Sequence, residues 1–309
     1  MKTFSLTILG TSAAVPYKNR YLAGQVLNVH EQFFLIDCGE ATQFRLSEFK
    51  IKRHKIDHIF ISHLHGDHFF GIFGVLTSLA MNGRTTPLHI YSPSGLKDIV
   101  QIIFEKSYYV SPFPIHFQEL DTNKSTLIFE NEILTVHSFP LLHRIPTVGY
   151  VFKEKSQPLN IIQKKIEAYK IPLSEIKKIK AGANFILLDG KVLPNAELTL
   201  PAFKTRSYAY CSDTKYDEQI IPFIRHVDLL YHESTFANDM GEHAALVGHS
   251  TTIEAATIAK KANAGKLILG HYSSRYTDLD ILLVEAKTIF PETVLGVDGE
   301  THTVLQSRE

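Results

Sequence analysis

The residues best able to do chemistry are crowded into the stretch "HLHGDH", which places His63, His65, Asp67 and His68 within six positions. Histidine accounts for only 16 of the 309 residues, so composition alone does not explain this crowding. Imidazole nitrogens and carboxylate oxygens are ligands that zinc and similar divalent cations accept. The stretch therefore predicts a metal site rather than a helix cap beside surface histidines.

The spacing inside the stretch predicts two ions. The first two histidines are two residues apart at a strand end, so their side chains can point the same way and grip one ion. The aspartate and the third histidine lie on the turn that enters the next helix, which suits a second ion. Two ions about 3.5–4 Å apart can activate a water and clamp the attacking and leaving oxygens of a phosphodiester. Gly66 and Gly71 are expected to let the backbone turn tightly around these ligands.

Further ligands must come from distant segments, because four ligands cannot complete two four-coordinate sites. Three candidates each follow a predicted strand: His143 in "FPLLHRIP", Asp213 in "YCSDT" and His271 in "LILGHYSSRY". Open α/β sheets place their sites at such strand ends, and the two oxygens of Asp213 could bridge both ions. His54 and His58 lack such companions and are expected to be ordinary surface or strand-edge residues.

The rest of the chain alternates strand and helix. Strands are predicted over Phe4–Leu9, Gln25–Val29 and Phe33–Ile36 and a helix over Ala41–Phe49, before the apolar strand "HIFIS" that leads into the histidine cluster. The alternation returns after residue 195. Strands, helices and histidines recur before and after residues 154–195, which predicts two stacked α/β halves without an interdomain linker.

Residues 154–195 interrupt this alternation. The stretches "LNIIQKKIEAYKI" and "LSEIKKIKAG" predict two short amphipathic helices, with few large apolar residues to form a core, in an insertion that projects from the body. The whole chain balances 32 basic against 32 acidic residues, but nine lysines face four acids between Lys153 and Lys191. Such a surplus can hold phosphates by counterion release, or it can be a solvated helical face.

Composition also bears on the compartment. No stretch approaches the roughly 20 apolar residues that span a bilayer, and the start lacks the layout of a signal peptide. The two cysteines, Cys38 and Cys211, fit a reducing compartment and are expected to be small buried strand residues rather than metal ligands. We therefore expect a cytoplasmic protein that does not enter a membrane.

These motifs together resemble the metallo-β-lactamase superfamily, whose His-x-His-x-Asp-His signature reads "HLHGDH" here. Within it, the chain is similar to the short-form ribonuclease Z family, the tRNA 3′ processing endonucleases. That resemblance covers nearly the whole chain and rests on "LGTSAAVP", "DCGE", "HLHGDHFFGIFGVL", "YCSDT", "HESTF", "GHSTTIEAA" and "LGHYSSRY". It implies one domain over 1–309, an αββα sandwich of two stacked mixed sheets flanked by helices, with residues 154–195 as a protruding lysine-rich arm.

The resemblance also implies a role for each site residue. Two zinc ions per subunit would be held, the first by His63, His65, His143 and Asp213 and the second by Asp67, His68, Asp213 and His271. Asp67 would also orient the attacking water, and His249 in "GHST" would protonate the leaving oxygen. Asp37 would orient a metal-binding histidine without binding metal itself.

The implied activity is zinc-dependent cleavage of tRNA precursors after the discriminator nucleotide, which leaves a 3′-hydroxyl on the tRNA and a 5′-phosphate on the trailer. Ser273 and Arg275 in "SSRY" and the arm residues Lys164, Lys165, Lys177 and Lys178 are the expected substrate contacts. A homodimer is implied by analogy, since in this family the arm of one subunit serves its partner. The family's arm usually carries a glycine–proline-rich motif, whereas "YKIPLSEIKKIKAGANFILLDGKVL" has no Gly-Pro step, which leaves the mode of tRNA docking open.

Other activities share this ligand pattern, because the superfamily hosts many functions. A phosphodiesterase acting on small or cyclic nucleotides would need the same ligands but no basic arm. A non-catalytic RNA-binding protein would not need all seven ligand positions to be filled, as they are here. A β-lactamase would normally carry a signal peptide, and an iron redox protein of this type is normally followed by a flavin-binding domain. The lysine-rich insertion favours an RNA substrate.

Overall fold

The computed structural model describes residues 2–308. The first nine strands are β1 (Phe4–Gly10), β2 (Gly24–Val29), β3 (Gln32–Cys38), β4 (Ile56–Phe60), β5 (Leu88–Ser92), β6 (Ile115–Glu119), β7 (Thr126–Glu130), β8 (Leu134–Leu141) and β9 (Thr147–Glu154). The other nine are β10 (Asn160–Ile161), β11 (Phe185–Ile186), β12 (Val192–Leu193), β13 (Thr199–Leu200), β14 (Ser207–Cys211), β15 (Leu229–Glu233), β16 (Leu267–Gly270), β17 (Thr293–Leu295) and β18 (Thr301–Thr303).

The α-helices alternate with these strands. They are α1 (Thr42–Glu48), α2 (Gly66–Phe69), α3 (Ile72–Met81), α4 (Leu96–Lys106), α5 (Gln163–Ala168), α6 (Leu173–Lys180), α7 (Asn195–Leu198), α8 (Ile221–Ile224), α9 (Gly241–Val247), α10 (Thr252–Lys261) and α11 (Asp280–Ile289). Three 3₁₀ turns cover Arg53–Lys55, Glu218–Ile220 and Asn238–Met240. Across residues 2–308 we find no helix with the length and apolar character that a bilayer crossing requires.

The larger of two compact units, Lys2–Lys153 with Ser207–Val304, contains two seven-stranded sheets. The first has the order β18-β1-β2-β3-β4-β5-β6, and the second has the order β17-β16-β15-β14-β9-β8-β7. Both sheets are mixed. Strands β3 to β6 run parallel in the first sheet and β14 to β17 run parallel in the second, whereas β1, β2 and β9 pair antiparallel with their neighbours.

Three apolar clusters hold four layers together. One cluster lies between the sheets and contains Phe34 and Phe60 from the first sheet with Phe152 from the second. A second cluster joins the first sheet to α1, α3 and α4, and a third joins the second sheet to α10 and α11. Each sheet is therefore covered by its partner on one face and by helices on the other, as parallel strands require. The predicted αββα sandwich is confirmed.

The predicted elements around the histidine cluster are largely correct, but the reason expected for two glycines is wrong. Gly71 has a φ of −69°, and Gly66 is absent from the positive-φ glycines, so neither uses the freedom that a tight turn would demand. Space is the constraint instead. A Cβ on Gly71 would overlap the carbonyl oxygen of Gly39, and a Cβ on Gly66 would overlap the ring of Phe70. The loop after β3 and the turn before α3 are in direct backbone contact.

The smaller unit comprises Glu154–Arg206 with the chain end from Leu305. Helices α5 and α6 form as predicted, and two short hairpins, β10 with β13 and β11 with β12, accompany them. We expected few large apolar residues in this segment, and its buried apolar cluster is indeed small, with four members: Ile171, Ile179, Leu193 and Leu198. The buried Arg206 guanidinium donates to both carboxylate oxygens of Glu154 at 2.9 and 2.7 Å.

The contact between the two loops predicts that Gly71→Ala is strongly destabilising. The added methyl group meets backbone, which cannot move aside as a side chain can, so we expect the free energy of unfolding to fall by about 3 kcal/mol. Urea denaturation followed by circular dichroism measures the change. The matched control is Gly74→Ala, also next to α1 in space, where a Cβ meets only the flexible end of Gln43. Equal stability of Gly71→Ala and the wild type would contradict this account.

Candidate metal centre

The seven predicted metal ligands lie in the segments that directly follow four strands. His63, His65, Asp67 and His68 follow β4, His143 follows β8, Asp213 follows β14 and His271 follows β16. The carboxyl ends of parallel strands in both sheets therefore meet at one place. The structure brings all seven side chains together there, in two groups that share Asp213.

The first group contains three histidines and one carboxylate oxygen. His65 Nδ1 lies 3.1 Å from His63 Nε2 and 3.3 Å from His143 Nε2. Asp213 Oδ2 lies 3.6 Å from His63 Nε2 and 3.9 Å from His143 Nε2. Four possible ligand atoms thus face one common point.

The second group is formed by Asp67, His68, His271 and the other oxygen of Asp213. Asp67 Oδ2 is 3.6 Å from both His68 Nε2 and His271 Nε2. Asp213 Oδ1 is 3.4 Å from the first of these nitrogens and 3.3 Å from the second. Asp213 alone presents one oxygen to each group, as the prediction of a bridging aspartate requires.

These separations fit a divalent cation in tetrahedral coordination. Ligand atoms about 2.0–2.1 Å from a zinc ion lie roughly 3.3 Å apart at tetrahedral angles. Asp213 Oδ1 is buried and has no hydrogen-bond partner among the described residues. Because an unsatisfied buried oxygen is costly, a cation is the natural partner for it. The donor set of imidazole and carboxylate is also the one that zinc accepts.

Hydrogen bonds to the far side of the rings fix their orientation. His68 Nδ1 lies 2.8 Å from Asp37 Oδ2, and Asp37 also accepts hydrogen bonds from the backbone N–H and hydroxyl of Ser62 and from the hydroxyl of Tyr210. His143 Nδ1 donates to the carbonyl oxygen of Gly248 at 2.6 Å. Nitrogen atoms held in this way leave the opposite nitrogen free to bind a metal.

Two residues of the centre adopt strained backbone. Asp37 has a φ of 52° and His271 a φ of 58°, in the left-handed region that side chains other than glycine rarely occupy. Such strain persists only when the surrounding structure enforces it. At His271, the 3.0 Å contact between Nδ1 and the Thr235 hydroxyl accompanies it.

The buried carboxylates of the centre favour a positive charge between them. Burial by itself lowers the pKa of His68, yet the carboxylates of Asp213, Asp67 and Asp37 outweigh burial and hold that pKa well above its usual range. Burial and the neighbouring His68 lower the pKa of His63 far below the usual value. The carboxylates that favour a proton on one imidazole favour a divalent cation for the same reason.

The carboxylate of Glu233, which the sequence analysis did not single out, contacts His249. Glu233 is fully buried at the end of β15, and its Oε1 lies 2.9 Å from His249 Nδ1. Glu233 also accepts hydrogen bonds from the backbone N–H groups of Thr214 and Thr235. Burial lowers the pKa of His249, but the charge of Glu233 outweighs burial and raises it to about 9. The signal was present in "HEST", a carboxylate at the end of a strand like the other site residues.

A cleft of about 730 Å³ opens above the ligands. Ser273 and Arg275 line it, as expected of substrate contacts, and so does Arg144, which directly follows a ligand histidine. Phe70 lines the cleft with 60 % of its surface exposed. Nothing in the sequence singled out Arg144 or Phe70. The expected arm contacts Lys164, Lys165, Lys177 and Lys178 belong to the smaller unit, on α5 and α6.

Four residues were expected to have no chemical role: Cys38, Cys211, His54 and His58. Cys38 and Cys211 are fully buried strand residues, as predicted, and burial raises the pKa of the Cys38 thiol to about 12. His54 is exposed, as predicted. The surface or edge position expected for His58 is wrong, because β4 is a central strand and its imidazole stacks on Phe34 and on the neighbouring strand's His89.

The four-layer sandwich and the seven converging ligands define a metal-binding hydrolase of the metallo-β-lactamase fold. The solved metallo-β-lactamase fold protein YhfI from Bacillus subtilis aligns with 98 % of the chain and 100 % of its own length, with a TM-score of 0.69 and 22 % identity. Human tRNase Z, short form, aligns over 96 % of this chain and 98 % of its own, with a TM-score of 0.70 and 27 % identity. A family model described as anti-Pycsar protein Apyc1 matches residues 4–106.

Curated relatives are more similar still. Ribonuclease Z of Cytophaga hutchinsonii is 46 % identical over 302 residues, which is 97 % of this chain and 96 % of the relative. Ribonuclease Z of Bacteroides thetaiotaomicron is 41 % identical over 304 residues, 98 % of this chain and 96 % of the relative. The chain belongs to the ribonuclease Z family, and it is an endoribonuclease.

The hydrogen bonds of Asp37 predict that Asp37→Asn weakens metal binding without removing a ligand. An amide cannot accept all four bonds or favour the same orientation of His68, so we expect a 10- to 100-fold loss of metal affinity, on the order seen for such outer partners. Competition with a chromogenic chelator measures the affinity. The control is Asp228→Asn, which alters a half-buried carboxylate bound to the backbone N–H and hydroxyl of Ser207, at the end of β14 opposite Asp213. Wild-type affinity in Asp37→Asn would rule out the positioning role.

Proposed function

We propose that this endoribonuclease removes 3′ trailers from tRNA precursors, cutting after the discriminator nucleotide, with two zinc ions per subunit. The observation that carries the proposal is the paired set of ligands joined by Asp213, in a chain 40 to 46 % identical to ribonucleases Z over nearly its full length. The products would be a tRNA 3′-hydroxyl and a trailer 5′-phosphate.

The ligand assignment follows the two groups. His63, His65, His143 and Asp213 would hold one zinc ion, and Asp67, His68, His271 and Asp213 the other. Two such ions, when bound, activate a water and stabilise the attacking and leaving oxygens of a phosphodiester. Two observations support this assignment: the distances between the possible ligand atoms, and the buried Oδ1 of Asp213 that has no hydrogen-bond partner among the described residues.

Asp67 would also orient the attacking water. Its Oδ2 faces His68 and His271 and accepts a hydrogen bond from the backbone N–H of Ala14 at 2.9 Å. Although burial alone raises the pKa of this carboxyl, the charges of these two histidines bring that pKa far below the usual range. The carboxylate therefore stays ionised and accepts hydrogen bonds throughout the pH range in which the enzyme works.

His249 would protonate the leaving 3′ oxygen of the discriminator nucleotide. Its pKa of about 9 keeps the imidazolium form dominant at neutral pH, and Glu233 holds Nδ1, so the proton at Nε2 is the one available to the cleft. A positioned acid typically contributes about 10²- to 10⁴-fold to the rate. His249 lines the cleft beside Asp213 and His271, where the leaving group must lie.

The substrate would be held on both units. Ser273, Arg275 and Arg144 supply a hydroxyl and two guanidinium groups to the cleft, which suits the phosphates around the cut. The exposed ring of Phe70 offers a face on which an unpaired base can stack. Lys164, Lys165, Lys177 and Lys178 of the arm would contact tRNA phosphates. We further propose that the enzyme is a cytoplasmic homodimer.

The decisive experiment uses zinc-loaded protein and a tRNA precursor with a 3′ trailer, and maps the products to the nucleotide. We expect one cut after the discriminator base, and we expect His65→Ala to abolish it by removing a ligand. A small chromogenic phosphodiester is assayed in parallel. Hydrolysis of that compound without cleavage of the precursor would discard the tRNA substrate and favour a small-molecule phosphodiesterase.

The pairing of Glu233 with His249 predicts a change in the pH profile. The wild-type kcat should fall as the pH rises through about 9, because the proton donor is lost. In Glu233→Gln the charge that raises the pKa is gone while burial remains, so the alkaline limb should move down by at least about one pH unit. His249→Ala should lower kcat about 10²-fold or more at unchanged zinc content.

The control for the profile is Glu254→Gln, which alters the glutamate of the α10 capping box in the same unit. Its alkaline limb should coincide with that of the wild type. A Glu233→Gln enzyme that is slower at every pH but keeps the wild-type limb would refute the role of Glu233. A loss of zinc in His249→Ala would show that His249 is a ligand.

A further inference from the structure

A second concave surface on the larger unit is lined by cations. This basic groove has a volume of about 750 Å³ and lies between the segment that follows α1 and the segment that follows α3. None of the described residues that line it is acidic. Its basic residues are Lys50, Lys52, Arg53, His54 and Arg84.

The guanidinium groups of the groove have different partners. Arg84 is buried and forms an ion pair of 2.6 Å with Asp57, so its charge is balanced and its role is structural. Arg53 instead donates to the hydroxyl of Ser47 and to the side-chain oxygen of Asn82, each at 3.1 Å. Both partners are neutral. Arg53 is thus held in place at the end of α3 while its charge remains available to an anion.

The lysines add to this uncompensated charge. Lys52 lies 3.7 Å from Glu31, but the same carboxylate is 3.1 Å from Lys55, so one acid serves two lysines. Lys50 is exposed and makes no ion pair with any residue in the described range 2–308. Its backbone has a φ of 55°, directly after the C-cap of α1, where glycine or asparagine is the usual residue. Backbone hydrogen bonds from the N–H of Lys50 to the carbonyl oxygen of Ser47 and from the N–H of Ile51 to that of Leu46 close this turn, so the helix end sets the conformation, and a lysine there is more strained than glycine would be.

The groove lies at the opposite end of the first sheet from the metal ligands. Strand β4 begins next to the groove, at Ile56, and leads to His63 at its other end. Seven residues at about 3.3 Å each place the two about 20 Å apart. Helix α3 joins the same two regions, because it begins beside the ligand turn and ends at Asn82. An RNA stem with its 3′ end at the metal centre is long enough to reach the groove.

We propose that the basic groove binds the sugar–phosphate backbone of the RNA substrate at a distance from the cut, through Lys50, Lys52 and Arg53. The proposal rests on the proposed function. Phosphates are the ligand because the groove presents fixed positive charge and neutral hydrogen-bonding groups, and because charge contacts of this kind position a nucleic acid without reading its sequence. The groove would supplement the arm, on the unit that carries the chemistry.

Two substitutions test the groove without removing its framework. Lys50→Gly removes a charge and at the same time relieves the strained backbone, so we expect a melting temperature higher by roughly 2–4 °C together with weaker RNA binding. A purely structural role of Lys50 predicts no change in RNA binding. Arg53→Gln keeps a side chain that can hydrogen-bond Ser47 and Asn82 but carries no charge.

The readout is kcat/KM for the tRNA precursor over a range of salt concentrations. Loss of one phosphate contact reduces the slope of log kcat/KM against log salt by about one. In the double variant that combines Lys50→Gly with Arg53→Gln, the slope should therefore be smaller by about two, and kcat/KM at moderate salt should be roughly 10-fold lower. Hydrolysis of a small phosphodiester should be unchanged. Control variants are Lys106→Ala and Lys124→Ala, exposed lysines of the same unit that pair with Glu105 and Asp121. Their slopes should match the wild type.

The outcomes separate this proposal from the one before it. If the wild type cleaves the precursor but the groove variants keep its salt slope, or if the control lysines reduce the slope as much, the groove does not bind RNA. Equal losses on the precursor and the small phosphodiester would also overturn it, since the effect would then act through the metal centre. A wild type that cleaves only the small compound would overturn the proposed function itself.

Discussion

Four carboxylates crowded at one end of the two sheets set the central constraint on this protein. Asp37, Asp213 and Glu233 are almost fully buried, and Asp67 is largely so. A buried carboxylate survives only when hydrogen bonds or positive charge compensate it. Each has a different compensation: Asp37 accepts four hydrogen bonds, Glu233 faces an imidazolium, and the other two share a set of histidines that fits divalent cations. A divalent cation bound there would therefore stabilise the fold at this end.

Strained backbone and close packing hold that centre in place. Asp37 and His271 occupy left-handed backbone, which costs roughly 1–2 kcal/mol for each residue. A Cβ on Gly71 would overlap the backbone of Gly39, and a Cβ on Gly39 would overlap the carbonyl oxygen of Asp67, so neither position has room for a side chain. The apolar layers on both sides of the two sheets supply the stability that offsets these costs. Strain is concentrated where ligand positions must be accurate, as is common at functional sites.

In the proposed function, catalytic groups and substrate recognition would occupy separate parts of the molecule. Solved proteins at 22 % identity or less share the fold, YhfI and a diphosphatase of the PhnP family among them, so the fold does not fix the substrate. The substrate must be chosen by surfaces outside the ligand set. Three such surfaces are available: the rim of the cleft with Arg144 and Arg275, the basic groove around Arg53, and the lysines of the smaller unit. In the proposed function their charges would bind phosphates, and the shape of the RNA would decide how many engage at once.

The sequence by itself predicted the layers of the fold and the seven side chains that converge at the candidate metal centre. Local patterns carry that information: alternation of strand and helix marks the layers, and histidine or aspartate at the end of each strand marks the ligands, since strand ends converge. The family resemblance led us to expect that Asp37 orients a metal-binding histidine, and in the structure Asp37 lies 2.8 Å from His68. The sequence did not reveal Glu233 as the partner of His249, although "HEST" contained the signal.

Only the tertiary structure decided which groups meet across long separations. Lys50 and Arg53 join Asn82 in one groove because α1 and α3 end side by side, which no local pattern encodes. Likewise, His58 is flanked by neighbouring strands because β4 is central in its sheet, and Gly71 is required because Gly39 lies against it. Residue type and spacing predict chemistry along the chain, whereas burial, close approach and shared charge depend on contacts between segments, and those exist only once the chain has folded.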